Sequence, residues 1–155
     1  MNTKNNTHVL SRAVIVDQDH LLVCKTRDLP IPFYFLPGGH IEHEESAEDA
    51  VLREFLEESG AQCKIKRFLG CLEYNFEPGH SGICHNHEVN LFFEAESDVL
   101  NLDTPLARME DHIELMWVPL HEIEAIDFRP EPLKTLLPEW LKSPKNNAFQ
   151  SRMVS

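Results

Sequence analysis

The chain has 155 residues and a formal net charge of −12 at pH 7. This length is typical of one domain with a sizeable core, so we expect a single domain over residues 1–142 and a flexible C-terminal tail over residues 143–155. The negative charge argues against binding to nucleic acid or to an anionic membrane, because both attract basic protein surfaces. No apolar run approaches the roughly 18 residues of a membrane-spanning helix.

No Cys-x-x-Cys pair occurs among the four cysteines, which are Cys24, Cys63, Cys71 and Cys84. Residues 1–7 are polar and carry no signal-peptide pattern. We therefore expect reduced thiols and a cytoplasmic location. The sequence leaves the oligomeric state open, a homodimer included.

The first part of the chain alternates between strand and turn patterns. Apolar runs predict two strands, over residues 9–16 and 21–24, around a polar turn. Residues 28–32 contain two prolines and predict a loop, and the aromatic residues 33–36 predict a short strand. This strand leads into the Pro-Gly-Gly turn of residues 37–39, where glycines let the backbone bend sharply and approach a cation closely.

The segment after this turn has the end signals of a helix. Ser46 is a favourable N-cap, Asp49 follows three residues later much as in a capping box, and Gly60 stands where helices end in the left-handed conformation. The pattern predicts a helix of about four turns over residues 46–59.

Three glutamates form an acidic row on this helix. Glu54, Glu57 and Glu58 follow i, i+3, i+4 spacing, so we expect their carboxylates on one side and Leu52 and Leu56 on the other. Like charges at this spacing destabilise a bare helix by roughly 0.2–0.5 kcal/mol per pair. The row therefore indicates either a solvated acidic surface or a site for a hard divalent cation, which oxygen ligands suit best.

The residues from Gly39 to Ala61 fit the pattern G-x5-E-x7-R-E-U-x-E-E-x-G-U, in which U is apolar. The segment resembles the Nudix box, and the chain is identified as a member of the Nudix hydrolase family. His43 and Glu44 stand at variable positions where family members often carry proline and glycine. The fixed positions are occupied by Gly39, Glu45, Arg53, Glu54, Phe55, Glu57, Glu58, Gly60 and Ala61.

The resemblance implies a fold, a metal and a set of site residues. The fold is an α/β class Nudix-type α/β/α sandwich with a mixed central sheet, and the metal is Mg²⁺, with Mn²⁺ as a substitute. Arg53 would orient a carboxylate, with Glu45 as its partner. The implied metal ligands are the Gly38 carbonyl, Glu54, Glu57 and Glu58.

The resemblance also implies a general base, which the sequence does not identify. Glu54 and Glu57 are candidates, as is a later acid just before the last core strand. Glu114 is the best-matched later acid, and Glu110 and Asp111 are rivals.

Downstream of the box the pattern predicts further strands and one helix. A strand over residues 62–76 is broken near Gly70, and residues 88–96 alternate cleanly, with Asn90 and Phe92 on the polar face. Another strand is predicted over residues 113–118. An amphipathic helix over residues 133–141 must kink or restart at Pro138.

The loop between the first two of these strands contains His80, Cys84 and His85, followed by His87. No pairing of these residues reproduces a structural zinc spacing, so we favour a solvated or substrate-facing loop. One subgroup of the family that acts on ADP-ribose has a proline about sixteen residues after the box, and Pro78 lies one residue from that place.

The resemblance implies hydrolysis of a small nucleotide substrate. We favour cleavage of the pyrophosphate linkage in a nucleoside diphosphate derivative of the ADP-ribose or nucleotide-sugar type. The alternatives are a pool-sanitising nucleoside triphosphate pyrophosphohydrolase and a catalytically silent nucleotide-binding module. Four aromatic residues are candidates for stacking on a base, although core packing is the commoner role of such residues: Tyr34, Phe35, Tyr74 and Phe76.

Overall fold

The structure is a computed structural model that describes residues 7–76, 86–144 and 148–153. Its strands and helices follow the predicted order, with additional short strands. They are β1 (Thr7–Val14), β2 (Val16–Asp17), β3 (His20–Thr26), β4 (Tyr34–Phe35), β5 (Gly38–His40), α1 (Ala47–Ser59), β6 (Lys64–Asn75), β7 (His87–Glu96), β8 (Ile113–Pro119), a 3-10 helix (Leu120–Ala125), β9 (Phe128–Arg129), α2 (Leu133–Lys142) and β10 (Phe149–Arg152).

The strands of the described residues form two mixed sheets of five strands each. The first sheet has the order β10-β6-β7-β1-β5, with β1 parallel to β7 and antiparallel to β5. The second has the order β2-β3-β4-β9, and β8 pairs antiparallel with β3. The predicted α/β class with mixed sheet pairing is confirmed, and the sheet layer consists of two sheets.

The two α-helices cover opposite faces of the first sheet. Ala13 belongs to the same buried cluster as Phe55 of α1, whereas the next residue, Val14, belongs to the cluster that contains Leu137 of α2. Because successive strand residues point to opposite faces, the helices lie on either side of the sheet. This is the layering of an α/β/α sandwich.

Strand β7 is buried on both faces, which differs from the predicted alternation. Asn90 and Phe92, expected on a polar face, are both 0% exposed. The reason is that β7 lies in the middle of its sheet, so that one face packs toward α1 and the other toward α2. Strands covered on both sides lose the simple apolar-polar alternation.

The predicted irregularity in β6 is present. The pairing of β6 with β7 shifts register between Phe68 and Gly70, and also between Ile65 and Arg67. A side chain at Gly70 would come within 2.8 Å of the Trp140 ring of α2. Glycine therefore lets the helix approach the sheet closely here.

The C-terminal segment differs from the expected tail, because residues 149–152 form a strand. β10 pairs parallel with residues 71–74 of β6, and it covers the edge that β6 would otherwise expose. The pairing uses backbone groups, which leave little trace in a short sequence pattern. Helix α2 continues through Pro138, which excludes the second of the two predicted outcomes, a restart at this residue.

The guanidinium of Arg67 connects the first sheet to the end of α2. Its Nε lies 2.5 Å from Oε2 of Glu94, and its other nitrogens donate to the carbonyls of Trp140 (3.4 Å), Leu141 (3.1 Å) and Ser143. Carbonyls of a last helical turn have no partners within the helix, so a cation here satisfies and stabilises them.

We expect Arg67→Ala to lower the free energy of unfolding by about 2 kcal/mol, because it removes the donor to the Leu141 carbonyl and the closest cation to Glu94. Lys66→Ala is the matched control, since Lys66 Nζ lies 3.8 Å from Glu94 and is half exposed. It should change stability by less than about 1 kcal/mol. Urea unfolding measures both, and equal losses would contradict the role of Arg67.

Candidate active site

Helix α1 begins and ends where the sequence predicts. The Ser46 side chain accepts a hydrogen bond of 3.0 Å from the Asp49 amide, and Gly60 adopts φ 73° while its amide donates to Leu56 at 2.8 Å. Both contacts satisfy backbone groups that a helix end leaves without partners. The helix is thereby fixed at both ends.

The buried face of α1 differs from the expected one. Val51, Phe55 and Glu58 are buried, whereas Leu56 is exposed. The stripe i, i+4, i+7 that starts at Val51 brings Glu58 onto the core face of the helix. Glu58 therefore separates from Glu54 and Glu57, with which the sequence analysis grouped it.

Arg53 is the centre of the carboxylate cluster. Its Nε and Nη2 donate to the two oxygens of Glu45 at 2.7 and 2.9 Å, which is a bidentate pair. Its Nη1 donates to Glu54 at 3.0 Å and to Glu57 at 3.4 Å. Its Nη2 also reaches the His40 carbonyl at 3.2 Å, so Arg53 ties α1 to the glycine turn.

The charges around Arg53 do not balance. The hydrogen bonds from Arg53 and from the Glu42 amide lower the pKa of Glu45 to about 2, so this carboxylate is ionised at neutral pH. One guanidinium faces the carboxylates of Glu42, Glu45, Glu54 and Glu57, which leaves an excess of negative charge. The site therefore favours the approach of further cations.

Gly38 and Gly39, which the sequence predicts in a turn, are the first two residues of β5, because they pair with β1. This glycine turn into β5 lies directly against the cluster. Gly38 adopts φ 139°, a backbone conformation that is rare for residues with a side chain. Its amide donates to Oε1 of Glu58 at 3.0 Å. A Cβ at Gly39 would lie 2.6 Å from the carboxyl carbon of Glu54. The absence of side chains at both positions lets the two carboxyl groups contact the turn.

Glu58 is a buried carboxyl group beside a buried thiol. Its side chain is held by the Gly38 amide and by Sγ of Cys24, which donates to Oε2 at 3.1 Å. Burial raises the pKa of Glu58 to about 7, although both hydrogen bonds and the charge of Arg12 act in the opposite direction. Burial and the nearby Glu58 also raise the pKa of the Cys24 thiol.

The raised pKa of Glu58 predicts a pH-dependent stability. The pKa is about 7 in the folded protein and about 4.5 ordinarily, so the folded state holds the proton more tightly. The resulting stability is complete below pH 4.5 and is lost as the pH rises through 7. We expect the free energy of unfolding in EDTA to fall by about 3 kcal/mol across this window.

Urea unfolding of the wild type and of Glu58→Gln at several pH values tests this expectation. The difference between the two proteins isolates the contribution of Glu58 from those of all other ionisable groups. Glu45 titrates in a lower window, between its ordinary pKa of 4.5 and about 2. A difference that stays constant from pH 5 to pH 8 would contradict the raised pKa.

The structure separates the candidates for the later acid. Glu114 pairs with Lys25 across β8 and β3, next to the pair formed by Cys24 and Leu115. Because neighbouring strand residues point to opposite faces, Glu114 lies on the face away from Cys24 and Glu58. Its carboxylate instead lies 3.9 Å from Arg27, whose Nη1 also donates to the Asp111 carbonyl at 3.4 Å.

Glu110 lies closer to the box. Its charge contributes to the raised pKa of the Cys24 thiol, which contacts Glu58. The preceding residue, Met109, lies against Gly60 at the end of α1. Glu110 also lies 3.2 Å from Nε2 of His112. Of the three later acids, Glu110 is therefore the one whose surroundings connect it to the box.

A hard divalent cation fits the donor set of the cluster. Within residues 7–76, 86–144 and 148–153, no three His, Cys, Asp or Glu side chains are already gathered as a metal-binding group. Glu54 and Glu57 are instead held by Arg53, and Glu57 is half exposed. Their oxygen atoms and the excess negative charge suit Mg²⁺, and the absence of a side chain at Gly39 lets the Glu54 carboxyl group lie against the turn while Arg53 orients it.

A cavity of about 500 Å³ lies near Glu58, and the carboxylates around Arg53 are not among its lining residues. Arg12 links the two, because it lines the cavity, donates to the Leu36 carbonyl at 3.2 Å and lowers the pKa of Glu58. Three of the four candidate stacking residues, Phe35, Tyr74 and Phe76, line the cavity, whereas Tyr34 packs against the core.

Sequence reasoning missed other residues of this region. They include Arg12, Cys24, Phe33, Glu88 and Arg129, of which all but Cys24 line the cavity. Arg12 carried a signal, since it is the only charged residue between Val9 and Val16. Cys24 carried none, because a cysteine in an apolar strand usually belongs to the core.

Of the predicted histidine loop, His80, Cys84 and His85 lie outside the described residues, as does Pro78. His87 begins β7 and contacts Thr7 at 3.1 Å.

An α/β/α sandwich in which a glycine turn meets an acidic helix is the arrangement that the Nudix resemblance implies. The sequence profile of the NUDIX domain matches residues 7–139. The chain therefore belongs to the NUDIX domain family. No helix in the described part of the chain has the length and apolar character that crossing a membrane requires.

Relatives of different substrate specificity are similar to this chain. A putative 8-oxo-dGTP diphosphatase of Bacillus subtilis is 37% identical over 57 residues, which cover 37% of each protein. An ADP-ribose pyrophosphatase of Methanocaldococcus jannaschii is 41% identical over 58 residues, which cover 36% of this chain and 34% of that protein. The chain thus matches little more than a third of the length of these curated relatives.

A solved structure agrees with the fold over nearly the whole chain. The MutT protein of Methanosarcina mazei Go1 superimposes with a TM-score of 0.68 and 19% identity, covering 91% of this chain and 97% of that one. At this identity the likeness concerns the fold alone.

Proposed function

We propose that the protein is a Mg²⁺-dependent hydrolase that cleaves the pyrophosphate linkage of a nucleoside diphosphate derivative. The observation that carries the proposal is the cluster around Arg53, where carboxylates in excess of cations lie against a glycine turn and near a cavity of about 500 Å³. An anionic diphosphate enters such a site only with metal ions, whereas an apolar, aromatic cavity suits the rest of a nucleotide.

The proposed metal ligands are Glu54, Glu57, Glu58 and the carbonyl of Gly38. Mg²⁺, or Mn²⁺ in its place, would neutralise the phosphate charge and lower the pKa of a bound water. Arg53 orients Glu54 and Glu57 through Nη1 and is itself fixed by Glu45.

The pKa of about 7 suits Glu58 for a proton-sharing role when it carries no cation. The proton of the attacking water would pass to Glu54, Glu57 or a later acid. Among the later acids we favour Glu110, because its environment includes Cys24, the partner of Glu58, whereas Glu114 lies on the opposite face of its sheet.

Turnover of a substrate panel with and without Mg²⁺ tests the proposal. The panel contains ADP-ribose, nucleotide sugars, dinucleoside polyphosphates, NADH, and canonical and oxidised nucleoside triphosphates. A diphosphate derivative yields two phosphomonoesters, which anion-exchange chromatography separates and detects. The double variant Glu57→Gln, Glu58→Gln should abolish turnover. Glu48→Gln is the matched control, because Glu48 is an exposed residue in the first turn of the same helix.

A nucleoside triphosphate pyrophosphohydrolase is the second candidate. The similarity to a relative named putative 8-oxo-dGTP diphosphatase favours it. Release of inorganic pyrophosphate and a nucleoside monophosphate would identify this activity in the same panel. If no substrate were hydrolysed and the wild type and the double variant bound nucleotide equally, both proposals would be wrong. The protein would then be a catalytically silent nucleotide-binding module.

A further inference from the structure

The cavity is lined by two carboxylates that the proposed hydrolysis does not use, the exposed Asp28 and the half-buried Glu88. Glu88 lies on β7 and faces Tyr74 on β6, its directly paired residue. Asn90, two residues further on the same face, donates from Nδ2 to Oε2 of Glu88 at 3.0 Å. The carboxylate is therefore held in a defined orientation at the cavity wall.

Asn90 is itself unusual in this position. It is 0% exposed in the centre of the first sheet, and its Oδ1 is a buried acceptor without a donor among the described residues. An apolar residue would pack there without leaving a polar atom unsatisfied. The position of Glu88 explains the asparagine, because orienting that carboxylate is the contact that its side chain makes.

The cavity walls next to Glu88 suit a planar ring. The rings of Tyr74 and Phe76 stack with their centroids 5.4 Å apart, and Phe33 and Phe35 lie 5.9 Å apart. Aromatic faces of this kind bind nucleobases by stacking, which accepts any base. The choice among bases must then come from polar groups at the ring edge.

Arg12 defines the other end of the cavity. In the parallel pairing of β1 with β7, Glu88 pairs with His8 and Phe92 pairs with Arg12. Glu88 and Arg12 are therefore four residues apart on one face of the sheet, or about 13 Å. A nucleoside diphosphate can bridge this separation, with its base at Glu88 and its phosphates at Arg12, toward the carboxylates of the box.

A carboxylate selects bases by their donors, because its ionised form only accepts hydrogen bonds. Guanine presents N1–H and the N2 amino group side by side, which match the two oxygens of a carboxylate. Adenine and cytosine place a ring nitrogen acceptor beside their amino group, and uracil flanks its N3–H with two carbonyl acceptors. An acceptor next to Glu88 is repelled, so guanine fits this edge best.

We infer that the cavity binds the guanine base of a guanosine diphosphate derivative, with Glu88 as the specificity-determining residue and Asn90 as the residue that positions it. The inference deepens the proposed function, on which it rests, by naming the nucleoside. The cluster around Arg53 would act on the diphosphate, and the cavity would choose the base.

Base preference is measured with GDP-glucose, ADP-glucose and UDP-glucose, which differ only in the base. We expect kcat/KM of the wild type to be roughly 10- to 100-fold higher for GDP-glucose, the effect of a hydrogen bond to a charged group. In Glu88→Gln the preference for GDP-glucose should be lost, and kcat/KM for ADP-glucose should rise relative to the other two substrates. Glutamine both donates and accepts hydrogen bonds, so it pairs with adenine. Asn90→Leu should weaken the preference through KM, with kcat little changed.

The control is Glu73→Gln, because Glu73 neighbours Tyr74 on β6 and so points to the opposite face. It should keep the wild-type preference. Calorimetric binding of GDP, ADP and UDP provides a second measurement that needs no turnover. Selective GDP binding without hydrolysis of any panel compound would refute the proposed function and keep the base assignment. Hydrolysis with equal use of the three substrates, or an unchanged preference in Glu88→Gln, would overturn the base assignment alone.

Discussion

Arg53→Lys is expected to lower kcat/KM for the preferred substrate by about 100-fold and to weaken Mg²⁺ binding by at least 10-fold. Lysine keeps the positive charge but loses the planar fork that reaches both oxygens of Glu45 while Nη1 contacts Glu54 and Glu57. The two losses therefore report on the orientation of the carboxylates and not on the positive charge at position 53. Steady-state kinetics gives the first quantity, and a calorimetric Mg²⁺ titration without substrate gives the second.

The matched control for Arg53 is Arg152→Lys. Arg152 is exposed on β10, at the edge of the first sheet opposite to β5 and its glycine turn. This substitution should leave both quantities within about twofold. If Arg53→Lys retained wild-type Mg²⁺ affinity, the carboxylates would not depend on the guanidinium fork, and the proposed role of Arg53 would be wrong.

Local signals in the sequence predict helix α1, and the family resemblance implies the pairing of Arg53 with Glu45. Ser46 and Gly60 predicted the helix ends because each satisfies backbone groups through its own local geometry. Glu45 was predicted as the partner of Arg53, and the structure pairs them bidentately. Such features depend on residues close in sequence, and the fold does not need to be known.

The burial of Glu58 could not be predicted in the same way. Spacing placed it with Glu54 and Glu57, since i, i+3, i+4 residues share a side of a helix. Which side faces the core depends on the strands that pack against the helix. Cys24, 34 residues earlier in the chain, contacts Glu58 only because the fold brings β3 next to α1.

The later acid shows the same limit. Glu114 and Glu110 are both glutamates just before or at the start of the last core strand, so residue type does not distinguish them. Only the pairing of β8 with β3 assigns Glu114 to the face away from the box. The cavity wall likewise combines Arg12, Phe33 and Glu88 from three distant segments. Long-range pairing therefore decides what short-range patterns leave open, and β10 is a further case because its partner precedes it by 78 positions, from Cys71 to Phe149.

Gly38→Ala is expected to lower the free energy of unfolding by about 3 kcal/mol or more. A Cβ at this position would overlap the Ser11 carbonyl and lie 2.9 Å from Cα of Arg12, both of which are backbone atoms of the paired strand β1. The φ of 139° is also unfavourable for alanine. Because neither strand can move without breaking their pairing, the loss should appear in urea unfolding even without metal.

Gly39→Ala is the informative comparison, because the two glycines are adjacent and differ in what a side chain would meet. At Gly39 the new Cβ would lie 2.6 Å from the carboxyl carbon of Glu54, a flexible group that can move away. We expect a stability loss of only about 1 kcal/mol, together with at least a 10-fold loss of Mg²⁺ affinity. If folded Gly39→Ala kept wild-type Mg²⁺ affinity, metal binding would not depend on the contact between Glu54 and the turn. If the two substitutions lowered the free energy of unfolding equally, the distinction between backbone and side-chain contacts would be wrong.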